Sequence, residues 1–146
     1  MRAIATAASA VHVAALLRHR ISADGKQVFS AVVAGDQVAK KKTAPDVYER
    51  CVALLPIALG RANAMEDSPP GVAAARQAGI LVLATPSVYT TGENFTGSDV
   101  LVRDLGDPAA RRERAVAGFC RRWVELADLQ RLAAGREIAP ETEVAQ

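Results

Sequence analysis

Three groups of polar residues in this sequence each follow a short apolar run. They are Thr6 after Ala3 to Ala5, Lys40-Lys41-Lys42 after Val32-Val33, and Glu66-Asp67-Ser68 after Ala62 to Met65. A hydroxyl, a cation and a carboxylate pair together make a site for a phosphate and a magnesium ion: the carboxylates hold the hard cation, while the amine and hydroxyl neutralise phosphoryl oxygens. Taken singly, each group has a plain structural role. A lysine triplet serves as solvated surface, and a Glu-Asp pair ahead of a helix compensates its dipole.

Short apolar runs alternate with helical stretches along the chain, and that alternation would bring the three groups together. Ala3 to Ala5 reads as a strand, and Ser9 caps a helix over Ala10 to Arg20 with Arg18, His19 and Arg20 in its last turn. Val28 to Val33 reads as a strand ending at Gly35-Asp36, and Pro45 opens a helix through Leu55. Ala62 to Met65 is a poorly apolar strand because of Asn63. Ser68 and Pro69 start the next helix and Gly79 stops it, Ile80 to Ala84 is a clean strand, and Asp99 to Val102 is the last one. Strands alternating with helices imply an α/β fold with parallel pairing, in which loops and helix N-termini converge past the carboxyl ends of the strands. Residues 109 to 134 read as a tail helix with Phe119, Trp123, Leu126 and Leu129 available for one face.

The 146 residues are half apolar, 23% charged and carry a formal net charge of +2, which suits one ordinary domain and argues against disorder or a polyelectrolyte. Alanine makes up about a fifth of the chain and aromatics 4%, so packing relies on close approach of small and aliphatic side chains. Arg111, Arg112, Arg114, Arg121 and Arg122 against Glu113 leave a local positive excess, read as a solvated helix face and not as a nucleic-acid site. The longest apolar stretch, Ala3 to Leu17, falls short of the roughly 20 residues a bilayer needs. Leu16-Leu17 runs straight into Arg18-His19-Arg20, unlike a cleaved leader, so the expected location is the cytoplasm and no membrane partner is expected. Cys51 and Cys120 have no metal-ligand or redox spacing and read as reduced thiols. His12 and His19 read as packing or capping residues, and Asn94-Phe95-Thr96 as a loop.

The wording of the motifs sharpens this. Val33-Ala34-Gly35-Asp36, then Lys42-Thr43-Ala44-Pro45-Asp46-Val47-Tyr48, then Glu66 through Gly79 with its Glu-Asp-Ser-Pro-Pro-Gly opening, resemble the haloacid dehalogenase superfamily, as do Thr85 to Thr90 and Asp99 to Gly106. Within it, the sequence is most similar to the CbbY-like and beta-phosphoglucomutase-like sugar-phosphate phosphatases. The resemblance covers roughly residues 2 to 107 and implies a core domain over 1–107, with 108–146 as a helical tail. It implies that the Thr6 hydroxyl and the Ala7 amide hold the transferring phosphoryl group, that Lys42 neutralises the nucleophile and phosphoryl oxygens, and that Asp67 binds magnesium with Glu66 as a direct or water-mediated helper. It also implies a phosphorylated small molecule, a sugar phosphate or bisphosphate, as partner.

Two departures are local: Thr43 replaces the proline that usually follows the motif lysine, leaving that loop less rigid, and Asn63 weakens its strand. The third concerns chemistry. Family members attack phosphate with the first aspartate of Asp-x-Asp-Gly-Thr, forming an aspartyl-phosphate, and use the second as general acid and base. That motif, on the central strand, and the cap domain that reads the substrate precede the Thr6 equivalent, and this sequence contains neither. The expected fold is therefore a partial Rossmann-like parallel sheet with flanking helices, lacking its first, central strand and the cap. Buried backbone groups left without partners cost about 1 to 3 kcal/mol each, so the two flanking strands are expected to pair directly, to borrow a strand from another copy, or to bind a separate chain carrying the missing portion, with exposed apolar surface or self-association through their edges in solution. The expected function is a magnesium-dependent phosphatase whose present chain is inactive alone. The alternatives are a non-catalytic remnant that binds a phosphorylated ligand or partner protein, and a small flavodoxin-like interaction module.

Overall fold

A computed structural model describes residues 1–21, 28–106 and 124–134. Its elements in chain order are β1 (Ala3–Ala5), α1 (Ala10–Arg20), β2 (Ala31–Val33), α2 (Asp46–Ala53), a 3-10 turn (Leu59–Arg61), β3 (Asn63–Glu66), α3 (Pro69–Gln77), β4 (Leu81–Ala84), β5 (Val100–Leu101) and α4 (Leu126–Ala133). The boundary expected near residue 107, the arginine-rich stretch, Phe119, Cys120 and Trp123 lie outside the described residues.

Local chemistry explains where the helices begin and end. The Ser9 hydroxyl accepts from the His12 amide at 3.5 Å, and the Asp36 carboxylate, arriving from the end of β2, accepts from the Ala10 amide at 3.1 Å. Two acceptors thus satisfy the free amides that begin α1, and Arg18, His19 and Arg20 crowd its negative end. Pro69 and Pro70 open α3, where a missing N–H costs no helix hydrogen bond, and Gly79 ends the turn at φ +71°.

All strand pairs are parallel, in two sheets. β1 pairs with β2, Ala3 opposite Ala31 through Ala5 opposite Val33. In the second sheet β4 lies between β3 and β5. The β4 side chains alternate between two packing faces, as a strand covered on both sides requires. Val82 and Ala84 join the cluster under α2 and α3, while Leu83 faces Val102 and Leu132 of α4. The two sheets meet through the helix layer: α2 packs on β1 and β2, α3 packs on β3 and β4, and α2 touches α3. Ala74 and Ala75 of α3 are fully buried there, which is where the alanine-rich composition is used.

Three of the expected strands are shorter than their apolar runs, since β2 starts at Ala31, β4 at Leu81 and β5 covers two residues. The two expected flanking strands do not pair with each other: β1 and β3 end their respective sheets. Among the described residues no helix is long and apolar enough to cross a membrane.

Candidate active site at the carboxyl ends of the strands

The carboxyl ends of β2 and β3 converge, and the contact between them is an ion pair. Lys42, in the loop after β2, places its ammonium against Oε1 of Glu66, the last residue of β3; the Glu66 side chain is buried and that of Lys42 mostly so, at 12% exposed. Lys40 and Lys41 remain exposed, so the triplet resolves into one inward amine and two surface ones. The Lys42–Thr43 peptide bond is cis.

Tyr48, in the first turn of the helix that Pro45 opens, completes the cluster. Its hydroxyl donates to the same Glu66 Oε1 and lies 3.4 Å from Lys42 Nζ, which also sits 4.9 Å from the ring centroid. Burial pushes the Tyr48 phenol far above its ordinary range, and the neighbouring Glu66 charge pushes it further. Tyr48 is therefore a proton donor that keeps its proton, and it holds the same carboxylate oxygen that Lys42 does. The motif around Lys42 includes Tyr48 but does not by itself give it a role. Its signal was a phenol six residues after the lysine, at a buried helix position.

The other carboxylate oxygen of Glu66 is enclosed by the start of α3. Ser68 Oγ lies 3.5 Å from Oε2, and Gly71 leaves the space that Oε2 fills. The Glu66 carbonyl accepts from the Thr85 amide at 2.8 Å, fixing the end of β3 against β4. Asp67, by contrast, presents an exposed carboxylate one residue beyond the strand. Its backbone carbonyl accepts from the Thr90 hydroxyl at 2.6 Å, so the loop after β4 folds back to hold this residue's main chain. The adjacent pair is thus divided in function by burial: one carboxylate tied to an amine and a phenol, the other free toward solvent.

Thr6 follows β1 and anchors there through its amide to the Val33 carbonyl at 3.1 Å. Its Oγ1 accepts from the Ala8 amide at 3.1 Å, leaving its own O–H available to an anion. Ala7 is exposed, and its carbonyl lies so close to Gly35 that a Cβ there would approach to 2.5 Å. Asn63, expected to weaken its strand, is instead tied down, its Nδ2 donating to the Leu129 carbonyl of α4 at 2.5 Å. His12 pairs locally with Ser9, Nδ1 to Oγ 3.0 Å, as a capping-region residue.

Asp67 is the residue of this cluster whose exposed carboxylate could hold a hard divalent cation. Among the described residues there is no cluster of three or more His, Cys, Asp or Glu side chains. Asp67 offers a hard, exposed oxygen, and magnesium commonly keeps several waters while using one or two carboxylates plus substrate phosphate.

The family described as haloacid dehalogenase-like hydrolase matches residues 2–85, the stretch that runs from β1 through the end of β4 and carries every residue of this cluster. The chain belongs to that family. Protein CbbY encoded on a plasmid of Cupriavidus necator is 38% identical over 128 residues, covering 88% of this chain and 50% of the relative. Protein CbbY of Rhodobacter capsulatus is 41% identical over 109 residues, 75% of this chain and 48% of the relative. Among solved structures, CbbY from Rhodobacter sphaeroides in complex with phosphate superposes with a TM-score of 0.63 at 38% identity, covering 69% of this chain and 45% of the other. A mutant of the same protein in complex with xylulose-(1,5)bisphosphate gives 0.62 at 39% identity, over 68% and 44%. This haloacid dehalogenase-like chain is therefore of the CbbY kind, and it spans about half the length of the curated relatives it matches.

Proposed function

We propose that this chain supplies the phosphate- and metal-holding half of a CbbY-like phosphatase acting on a sugar phosphate or bisphosphate. The observation that carries the reading is the division of Glu66 and Asp67: a buried carboxylate locked to Lys42 and Tyr48 beside an exposed one at the strand terminus. The xylulose-(1,5)bisphosphate and phosphate complexes of the Rhodobacter sphaeroides protein support the substrate class.

Asp67 would hold magnesium directly, and Glu66 would act on it through water while keeping the Lys42 ammonium in place. When bound, the metal supplies positive charge to the phosphoryl oxygens. Lys42 adds a second fixed cation, and the Thr6 hydroxyl with the Ala7 amide donates to the same oxygens. Such preset donors lower the cost of the charge that builds as phosphorus is attacked. The attacking carboxylate of the family, the first aspartate of Asp-x-Asp-Gly-Thr, is not in this sequence, so these residues bind and orient without performing the attack.

The test is a titration of the 146-residue chain with inorganic phosphate and with xylulose-(1,5)bisphosphate, with and without magnesium, alongside an assay for phosphate release. Binding strengthened by magnesium, reduced at least roughly tenfold by Asp67→Ala, with no turnover, is the expected result. Robust turnover abolished by Asp67→Ala would reveal a nucleophile within this chain, and equal binding by wild type and D67A would remove Asp67 from the site.

A further inference from the structure

Asp67 lies one residue beyond the last paired residue of β3 and two before the first residue of α3, so neither a ladder nor a helix sets its backbone. The loop after β4 reaches it instead. The Thr90 hydroxyl donates to the Asp67 carbonyl at 2.6 Å, while its oxygen accepts from the Ser87 amide at 2.9 Å. Ser87 Oγ lies 3.2 Å from the same oxygen and can donate to it as well. With its acceptor side engaged in this way, the Thr90 hydroxyl turns its single proton to Asp67. The turn beneath it is closed by further bonds: the Thr90 and Thr91 amides donate to the Ser87 carbonyl at 3.1 and 3.0 Å, and the Thr91 hydroxyl donates to it at 2.8 Å. Pro86, just before the turn, has a fixed φ. Burial contributes little at the tip, since Val88 is 85% and Tyr89 91% exposed. Hydrogen bonds therefore shape this loop, and one of them ends on the residue with the exposed carboxylate.

We propose that Thr90 is a positioning residue for a divalent cation at Asp67: its hydroxyl fixes the Asp67 main chain and so aims the carboxylate, without touching the ion. The inference rests on the assignment of the metal to Asp67 under the phosphatase reading. Three consecutive carbonyls carry the argument. The Glu66 carbonyl accepts from the Thr85 amide at 2.8 Å, at the end of β4, and the Ser68 carbonyl accepts from the Val72 amide at 3.0 Å, in the first turn of α3. The Asp67 carbonyl between them is held by Thr90. Release of that middle anchor lets the Asp67 backbone turn, and the carboxylate, at the end of the side chain, moves further than the carbonyl does. A cation that demands near-ideal octahedral geometry tolerates little of that movement. Groups that orient a metal ligand from outside the coordination sphere change metal affinity by roughly tenfold or more. Because the anchor is a side chain and not a ladder, one substitution removes it and leaves β3 and β4 paired.

The probe is magnesium, titrated by calorimetry into the full 146-residue chain in inorganic phosphate, with manganese line broadening of the Asp67 and Ser68 amide resonances to locate the ion. Thr90→Val keeps the shape of the side chain and removes the hydroxyl; it is expected to weaken magnesium binding by roughly tenfold. Thr90→Ser keeps the hydroxyl and is expected to restore most of the affinity. Thr91→Val removes a hydrogen bond of the same turn that does not reach Asp67, and it is expected to leave the affinity unchanged. That contrast separates aiming the carboxylate from stiffening the loop, and thermal melting of each variant confirms that it is folded at the titration temperature. Should T90V not fold, Thr90→Ala removes the same hydroxyl with less bulk and carries the same test. Wild-type affinity in T90V, a loss in T91V as large as in T90V, or failure of T90S to recover overturns the proposal while leaving the metal at Asp67. A wild-type chain that shows no saturable broadening at Asp67 and Ser68 overturns the proposal and the metal assignment together.

Discussion

A Cβ on Gly71 would lie 1.8 Å from Oε2 of Glu66, so the first turn of α3 and the buried carboxylate occupy one another's space. Alanine at an exposed helix interior is worth about 1 kcal/mol over glycine. Here the sign reverses. Gly71→Ala is expected to destabilise the chain by about 1 to 3 kcal/mol, because the carboxylate, held by Lys42 and Tyr48, has no room to retreat. Urea unfolding of wild type and G71A checks it; a more stable variant would show that Glu66 swings freely.

Lys42 and Glu66 are expected to behave as a unit. Removing one member of a buried pair leaves the other charge without compensation, so Lys42→Ala and Glu66→Ala are each expected to lose about 3 to 5 kcal/mol. The double variant is expected to lose much less than the sum. A double-mutant cycle by chemical denaturation measures the coupling, and strictly additive losses would mean that the pair does not persist in solution.

The raised Tyr48 phenol fixes a pH dependence. The folded chain keeps this proton while the unfolded chain releases it near the ordinary value of 10.0, so above that pH the unfolded state binds fewer protons and stability falls as pH rises. Burial also raises the Cys51 thiol from its ordinary 9.0, which adds a slope of the same sign beginning near that pH. Tyr48→Phe is expected to remove the phenol's share of the slope, read from unfolding free energies between pH 8 and 11. An unchanged slope in Y48F would assign the effect elsewhere.

Asp99 staples the outer strand to the sheet. Its carboxylate accepts from the Arg76 guanidinium at 2.9 and 3.1 Å and from the Val82 amide at 2.7 Å. Asp99→Ala leaves the amide of the buried Val82 without this acceptor and is expected to cost about 1 to 3 kcal/mol, whereas Arg76→Ala, on a half-exposed partner, is expected to cost about 1 kcal/mol or less. Comparing the two by thermal melting tests the ranking.

Cap and turn residues made most element boundaries legible, because Ser9, Pro69 and Gly79 act through chemistry within one or two residues of themselves. Strand lengths were less legible. The apolar run Val28 to Val33 contains more residues than the three of β1 can pair, and a ladder is as long as its shorter member. Within the site, Lys42, Glu66 and Asp67 could be named from their motif, while the partition of the two carboxylates could not. That depends on Tyr48 approaching from a helix 18 residues away in sequence and on the space left by Gly71. A glycine in the first turn of a helix, ahead of Val72 and a run of three alanines, was itself a clue to close approach. Asn63 misled for a related reason: its amide is satisfied by α4, a partner 66 residues distant.

The way α2 and α3 hold the sheets together has a consequence for cooperativity. With no backbone ladder between β1 and β3, the sheet of β1 and β2 and the sheet of β3, β4 and β5 communicate, among the described residues, chiefly through side-chain contacts of two short helices and the Lys42–Glu66 pair. Such a junction is where a molecule splits into separate foldons, so protection factors along β1 and β2 should diverge from those along β3 and β4 as denaturant is added, the amino-terminal half opening while the other still resists exchange.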